Sequence, residues 1–170
     1  MYKRRGYTIV EIAIVIAIIL ILATLTAVTM AKSRQRAKLG KVTSDLTGIA
    51  TSLSQYAEDH NYQYPPDVVR EVPPGLEPYL KGGVWPISAW PSGVFDWDNW
   101  TINGAKVYQI SYRLCGIDDP IANCSDPVLF PNFERNSSIF YCISGVCVPH
   151  NSTPTVPGYC INCKPKERNY

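Results

Sequence analysis

One carboxylate, Glu11, stands inside a long apolar segment. Residues 7–31 carry no other charge, and they follow a short basic leader, MYKRRG. An ionised side chain at the centre of a bilayer costs about 2.5–3.5 kcal/mol, so we expect Glu11 to need a partner. A cut between Gly6 and Tyr7 would place a new α-amine one helical turn from Glu11. Amine and carboxylate could then pair, within one chain or between neighbouring chains.

The element that must position Glu11 is a membrane-spanning helix over residues 7–31. A helix of that length extends ~37 Å, which exceeds a bilayer core of roughly 30 Å. A secretory signal peptide has a shorter apolar core that ends in a small-residue cleavage site, and this segment has neither feature. An ordinary single-pass anchor fits the length but leaves Glu11 and the short leader ending in Gly6 unexplained.

The sequence Gly6-Tyr-Thr-Ile-Val-Glu11 with its apolar run resembles the type IV pilins and the pseudopilins of type II secretion systems. The resemblance implies that a prepilin peptidase cuts after Gly6, that the amine of Tyr7 is methylated, and that Glu11 guides assembly. Two residues depart from the family pattern. Tyr7 stands where Phe or Met is usual, and Val28 stands where many pilins carry Pro.

The resemblance also implies a function, partners and a location. The chain would be a structural subunit of a type IV pilus-like filament or of a pseudopilus. Its partners would be copies of itself, prepilin peptidase, an assembly platform with its motor ATPase, and the membrane. It would cross the inner (cytoplasmic) membrane once, with a cytoplasmic N-terminus and an extracytoplasmic head, and the assembled form would reach the cell surface. The alternative is a membrane-anchored extracellular binding or adhesion module that does not polymerise.

The helix is predicted to continue from Thr8 to Asp59, because an amphipathic pattern follows the apolar run. Apolar residues recur three or four positions apart, which marks one helical face. They are Val42, Leu46, Ile49, Leu53 and Tyr56 or Ala57. Pro65 and Pro66 bar any further extension. We therefore expect an α+β, pilin-like fold with a leader (1–6), a membrane half (7–31) and an amphipathic half (32–60) of the helix, and a globular head (61–170).

Three segments are predicted within the head: a Pro/Trp-rich loop (61–100), an antiparallel sheet (101–150) and a Cys-containing tail (151–170). The four tryptophans of the loop would cover the helix and the sheet edge, or else form a carbohydrate-binding or adhesive surface. Alternation over Tyr108–Leu114 predicts a half-buried strand. Residues 139–148 predict a hairpin around Ser144-Gly145.

Six cysteines all follow residue 114, which favours an oxidising compartment and up to three disulfides. The predicted hairpin pairs Cys142 with Cys147, and proximity in sequence adds two more pairs, Cys115–Cys124 and Cys160–Cys163. A zinc site is the alternative, since closely spaced cysteines also bind zinc. Its ligands would be Cys142, Cys147, Cys160 and Cys163. A thioredoxin-like role for Cys160-Ile-Asn-Cys163 lacks the βαβ context that it needs.

Asp96, Asp98 and Asn99 place three oxygen-bearing side chains within four residues and could contribute to a calcium site. Calcium takes six to eight oxygen ligands, and further aspartates could supply them if the fold brings them close: Asp118, Asp119 and Asp126. The competing interpretation is a solvated turn. We therefore predict no cofactor, with bound calcium as the alternative.

The charge balance and the histidines exclude other functions. The formal charge is +2; the leader holds three of the cations, so the side chains of the processed chain sum to −1. That balance does not predict nucleic-acid binding. His60 and His150 lie in no catalytic motif, and no phosphate loop or dinucleotide fingerprint is present. We predict that the chain is not an enzyme.

Overall fold

A computed structural model describes residues 6–116, 124–145, 147–149 and 156–163. It contains one long helix, α1 (Ile9–Asp59), followed by four strands, β1 (Val94–Ile102), β2 (Ala105–Arg113), β3 (Ser138–Ser144) and β4 (Tyr159–Cys160). Two short 3₁₀ turns, Glu77–Tyr79 and Lys81–Gly83, lie in the segment between α1 and β1. The α+β, pilin-like architecture expected from the sequence is confirmed.

The chain forms two compact units, Met1–Ala37 and Lys38–Tyr170. In the first, the apolar side chains of α1 are exposed along the helix; Ile9 and Leu25, for example, are 88% and 62% exposed. In the second, α1 contributes one face to the core. Those residues are the ones that the spacing predicted, and all are buried: Val42, Leu46, Ile49, Leu53 and Ala57.

The sheet has the order β1-β2-β3-β4. β1 pairs with β2 and β2 with β3 in antiparallel fashion, whereas β3 and β4 are parallel, with Ile139 opposite Tyr159. The sheet is therefore mixed, and the all-antiparallel expectation is wrong for its last strand. The reason is the direction of the chain: it returns after β3 to the end of the sheet where β3 begins, before β4 starts.

β1 occupies residues that the sequence analysis assigned to the Pro/Trp-rich loop, and that assignment is wrong from Val94 to Trp100. The Asp-Trp-Asp-Asn sequence is polar enough to suggest a turn. In the structure its side chains alternate in the manner of a strand, with Trp97 buried in the core that α1 contributes to. Asp96 and Asp98 lie on the other side of the strand and are also buried.

β2 confirms the predicted strand over residues 108–113, but not its half-buried character. Ile110 and Tyr112 enter the core, as expected. The intervening polar residues are buried as well, with Gln109 fully enclosed and Arg113 only 4% exposed. Strands β1 and β3 flank β2 on both sides, and the backbone of Val148 accepts a hydrogen bond from Gln109 Nε2 (2.7 Å). Chain from the C-terminal region therefore covers this second face.

The predicted hairpin is half correct. Its first strand is β3 and its turn lies at Gly145, which has a φ of 87°. A Cβ there would collide with the carbonyl oxygen of Lys106, so glycine is required on two counts. The second strand is absent, because Cys147 and Val148 are not in extended pairing with β3. Val146, which belongs to the predicted second strand, lies outside the described residues.

The tryptophans cover the core, as the first interpretation predicted, and do not form a carbohydrate-binding or adhesive surface. Trp97 and Trp90 are buried, and the indole Nε1 of Trp97 donates to the carbonyl of Pro65 (3.1 Å). Trp85 and Trp100 are half-buried and pack against apolar clusters. With the largest faces turned inward, this loop offers no stacked aromatic platform of the kind that carbohydrate binding uses.

Candidate assembly site

Thr8 and Glu11 together close the N-terminus of α1. The backbone N–H of Thr8 donates to Glu11 Oε2 (2.8 Å), and the backbone N–H of Glu11 donates to Thr8 Oγ1 (3.2 Å). The Thr8 hydroxyl also donates to the same Oε2 (3.0 Å). This reciprocal arrangement is a capping box, which satisfies backbone N–H groups that have no partner inside the helix. In a bilayer those unpaired groups are especially costly.

The cap uses one carboxylate oxygen of Glu11, Oε2, and does not use the other, Oε1. Among the described residues, Oε1 of Glu11 has no hydrogen-bond partner, and an ionised carboxylate can accept several hydrogen bonds. Tyr7 lies just outside the helix and is 84% exposed. A free amine on Tyr7, or on the Tyr7 of a second chain, could therefore pair with Oε1 while Oε2 keeps its cap.

Thr8 is the functional residue that the sequence analysis did not single out. The signal was present, because a Thr followed three positions later by Glu, just before an apolar run, is the sequence pattern of a capping box. The predicted processing residues, Gly6 and Tyr7, directly precede it. Both are exposed and neither is helical, so the chain at the predicted cut is accessible.

Helix α1 is long and apolar enough to cross a bilayer, judged by length and composition. Glu11 is the charged residue within its first turn. The membrane-spanning role of residues 7–31 stays a prediction, and the length and acidic first turn of α1 are compatible with it.

The structure pairs the six cysteines as three disulfides: Cys115–Cys124, Cys142–Cys147 and Cys160–Cys163. Their Cα–Cα distances of 5.3, 5.6 and 5.5 Å suit disulfide geometry. These are the three pairs that the sequence analysis named. The pairing leaves no thiolates for a zinc site.

Two of the disulfides are tied together by Asn162. Its Oδ1 accepts from the backbone N–H of Cys142 (2.8 Å), and its Nδ2 donates to the carbonyl of the same residue (2.7 Å). The Cys160–Cys163 disulfide holds Asn162 in the short loop that makes these contacts. The cysteines thus fix the C-terminal segment against β3, which is a structural role.

The three candidate calcium ligands do not converge. Asp96 and Asp98 lie on the same side of β1, and Asn99 lies on the other, where its Nδ2 donates to the carbonyl of Pro65 (2.8 Å). Asp126, further along the chain, accepts N–H donors from Trp90, Val128 and Leu129. Asp118 and Asp119 lie outside the described residues. Within the part of the chain that the structure describes, no group of three acidic, His or Cys side chains is arranged to hold a metal.

Asp96 and Asp98 instead belong to a buried polar layer. Burial raises the pKa of Asp98 well above its ordinary value, and the Asp96 carboxylate raises it further, against the opposing effect of Gln109. Burial also raises the pKa of Asp96, opposed by the N–H of Arg70 (2.8 Å) and by the Arg113 guanidinium (3.6 Å). Gln109 Nε2 donates to Asp98 (3.0 Å). These contacts join β1 to β2 and to Arg70 inside the head.

The one described histidine makes local contacts. The His60 ring stacks on Tyr56 with centroids 3.9 Å apart, and its Nδ1 donates to the Tyr56 carbonyl (2.8 Å). No nucleophile adjoins it in the contacts formed by the described residues. His150 lies outside them.

The first part of the chain is similar to known proteins. Residues 1–27 match the family described as "Prokaryotic N-terminal methylation motif". Three relatives are each named "Type II secretion system core protein G". The protein of Pectobacterium carotovorum subsp. carotovorum is 34% identical over 64 residues, or 38% of this chain and 40% of the relative.

The other two relatives give the same picture. The protein of Escherichia coli (strain K12) is 36% identical over 63 residues (37% of this chain, 43% of the relative), and that of Klebsiella pneumoniae is 37% identical over 65 residues (38% and 46%). The matched segment spans less than half the length of each relative. No solved structure matches the chain significantly. A methylation motif of this kind marks a structural family and not an enzyme family.

Proposed function

We infer from the methylation motif and the three relatives that this chain belongs to the type IV pilin and pseudopilin family, and we propose that it is a filament subunit. A prepilin peptidase would cut between Gly6 and Tyr7, and the subunits would polymerise through α1. The observation that carries the proposal is Glu11, capped by Thr8 at the first turn of an apolar helix, with one carboxylate oxygen left for an amine.

The energetics of assembly follow from that geometry. Before assembly, lipid surrounds the apolar side chains of α1; in a filament, the helices of neighbouring subunits would replace the lipid. Since lipid is as apolar as the helices, packing and polar pairing supply the driving force. The Tyr7 amine and Glu11 would supply that polar pairing at one fixed depth and so set the register between subunits.

Within the family, the relatives favour a pseudopilin of a secretion system over a surface pilin. All three carry a type II secretion name. The disulfide-fixed C-terminal segment is compatible with either kind of subunit. The assembly platform, the motor ATPase and other filament subunits would be its partners.

A binding module that does not polymerise is the second candidate, and the structure disfavours it. That reading depended on an exposed tryptophan surface, whereas Trp90 and Trp97 are buried.

The test is the mass and N-terminal sequence of the protein recovered from membranes and from sheared surface material. We expect a chain that begins at methylated Tyr7. Gly6→Val should leave the leader attached and abolish assembly, while Gly6→Ala serves as the small-residue control. Glu11→Gln should be cut normally but assemble poorly, because it keeps the cap acceptor and loses the charge. A native chain that begins at Met1 and stays confined to membranes contradicts the proposal.

A further inference from the structure

The loop between α1 and β1 exposes two large apolar side chains. Ile87 is 86% exposed and Val84 is 62% exposed, which makes Ile87 the most exposed large apolar residue of the described head. A single exposed apolar side chain is common on protein surfaces. Val84 and Ile87 are three positions apart on a loop with lysines beside it, and together they form a surface with a more specific chemistry.

Lysines flank both apolar residues. Lys41 Nζ donates to the carbonyl of Ile87, and Lys81 and Val84 together line a groove of about 350 Å³ beside α1. Lys38 lies nearby, with its Nζ 5.4 Å from the ring centroid of Trp90. We call Lys38, Lys41, Lys81, Val84 and Ile87 the lysine-flanked patch.

The patch is net positive. Asp45 is the one carboxylate on the described groove, and its Oδ2 pairs with Lys41 Nζ (2.6 Å). Lys38 and Lys81 have no carboxylate partner among the described residues. A surface with apolar tips and unneutralised cations matches an anionic lipid headgroup layer, where the apolar side chains enter the interface and the lysines meet phosphate.

The position of the patch in the chain fits the same partner. Six residues, 32–37, separate Ala31, the end of the apolar run, from Lys38. Even fully extended, they keep Lys38 within about 25 Å of the end of the run. If α1 is anchored in the membrane, as the proposed function requires, the lysine-flanked patch is therefore held close to the bilayer surface.

We propose that the lysine-flanked patch docks on anionic phospholipid headgroups while the subunit waits in the membrane before assembly. This proposal rests on the proposed function, since it needs a membrane-anchored subunit. A second copy of the same patch is disfavoured as the occupant because the two would repel each other. Release of the head from lipid would then be a step in incorporation into the filament.

The experiment uses the full chain with its disulfides intact, in lipid nanodiscs that hold one chain each. The discs contain phosphatidylcholine alone or with a minority of phosphatidylglycerol, plus headgroup spin-labelled lipid. Relaxation enhancement is read at Ile and Val methyl groups, with Ile87 assigned through Ile87→Val. Val128, which is 46% exposed beside Asp126, is the internal control methyl.

We expect the Ile87 methyl to relax faster in the anionic discs and the Val128 methyl to be unaffected. Lys81→Gln should reduce the docked population about fivefold, the effect of removing one lysine near an anionic surface. Lys106→Gln removes the same charge at the β1–β2 turn and should change nothing.

Three results would overturn the proposal. The first is equal relaxation of the Ile87 methyl in both lipid compositions, and the second is an equal effect of Lys81→Gln and Lys106→Gln. The third is Ile87 contact that arises only when discs hold several chains, which would assign the patch to a second copy. Retention of the chain in the discs is scored separately. A chain that stays in the disc without Ile87 contact sinks only this proposal, whereas a chain that does not insert sinks the filament subunit itself.

Discussion

Gln109 on β2 and Asp98 on β1 stand directly opposite each other in the strand register and share a hydrogen bond from Nε2 to Oδ2 (3.0 Å). Both side chains are buried. Burial and the carboxyl of Asp96, two residues away, raise the pKa of Asp98, and the hydrogen bond from Gln109 opposes them only in part. The pair therefore connects the two strands and makes the stability of the head depend on pH.

The first prediction concerns that pH dependence. The folded pKa of Asp98 lies above its unfolded value near 3.9, so its contribution to stability is present below about pH 4 and is lost as the pH rises through the folded pKa. Asp98→Asn should therefore be more stable than the native chain at neutral pH. Its free energy of unfolding should also fall less as the pH rises.

Denaturation of the head, followed by tryptophan fluorescence at several pH values, measures this. The pKa of Asp96 is also raised, so the free energy of unfolding of the Asp98→Asn variant will still decrease with pH, with a smaller slope. Glu58→Gln is the control, because Glu58 is exposed on α1 and does not contribute to the raised pKa of Asp96 or Asp98. A native free energy of unfolding that rises from pH 4 to pH 7 would contradict the assignment.

The second prediction ranks the disulfides. In the chain-entropy model, the stabilisation grows with the length of the closed loop. Cys115–Cys124, with a sequence separation of 9, should be worth about 3 kcal/mol, and Cys160–Cys163, with a separation of 3, about 2 kcal/mol. Paired Cys→Ser variants, which leave no free thiol, test the order by denaturant titration. A larger loss at Cys160–Cys163 would show that its link through Asn162 outweighs loop entropy.

The third prediction contrasts two glycines. Gly145→Ala should destabilise the head by several kcal/mol, because it forces a positive φ on alanine and drives a Cβ into the Lys106 carbonyl. Gly48→Ala should stabilise it by about 0.5–1 kcal/mol, since Gly48 lies inside α1 with open space where the Cβ would be. Thermal denaturation of the two variants side by side is the measurement. Equal effects would show that the backbone at Gly145 is not confined as described.

The fourth prediction isolates the cap. Thr8→Val keeps the shape of the side chain but loses the oxygen that accepts from Glu11 N–H. We expect about 1 kcal/mol less protection of the first amides of α1, the usual effect of removing a cap. Hydrogen exchange of Ile9–Ile12 in nanodiscs measures it. Thr8→Ser keeps the hydroxyl and should behave as the native chain. Identical exchange in the two variants would show that the Thr8 hydroxyl does not cap α1.

The sequence predicted those parts of the fold in which periodicity and burial agree. The three- and four-residue spacing from Val42 to Leu53 predicted the buried face of α1, because a helix next to a core exposes its other face to water. The same logic failed for β2. Gln109 and Arg113 suggested a solvated face, yet a second layer of chain covers them, and periodicity along one strand carries no signal for that.

β1 and β4 show two other limits of sequence analysis. Asp96 and Asp98 made β1 resemble a turn, and the partners that bury them come from the distant residues Arg70, Gln109 and Arg113. β4 is two residues long, too short for any alternation to be visible. The cysteine pairs were accessible to sequence reasoning because each joins near neighbours. The Thr8 cap was also accessible, from its spacing to Glu11.

The two margins of the sheet limit how copies of the chain can associate. An unpaired strand margin is a template for pairing with another chain and leads to aggregation. Here β1 is flanked by Val68, which bridges to Trp97, and by Asp67, which accepts from the N–H of Asn99 (3.0 Å). At the opposite margin, β4 offers only two residues. If subunits are stored in the membrane as proposed, they would lie side by side at high density without strand-to-strand association, and contact between them would be left to the helices.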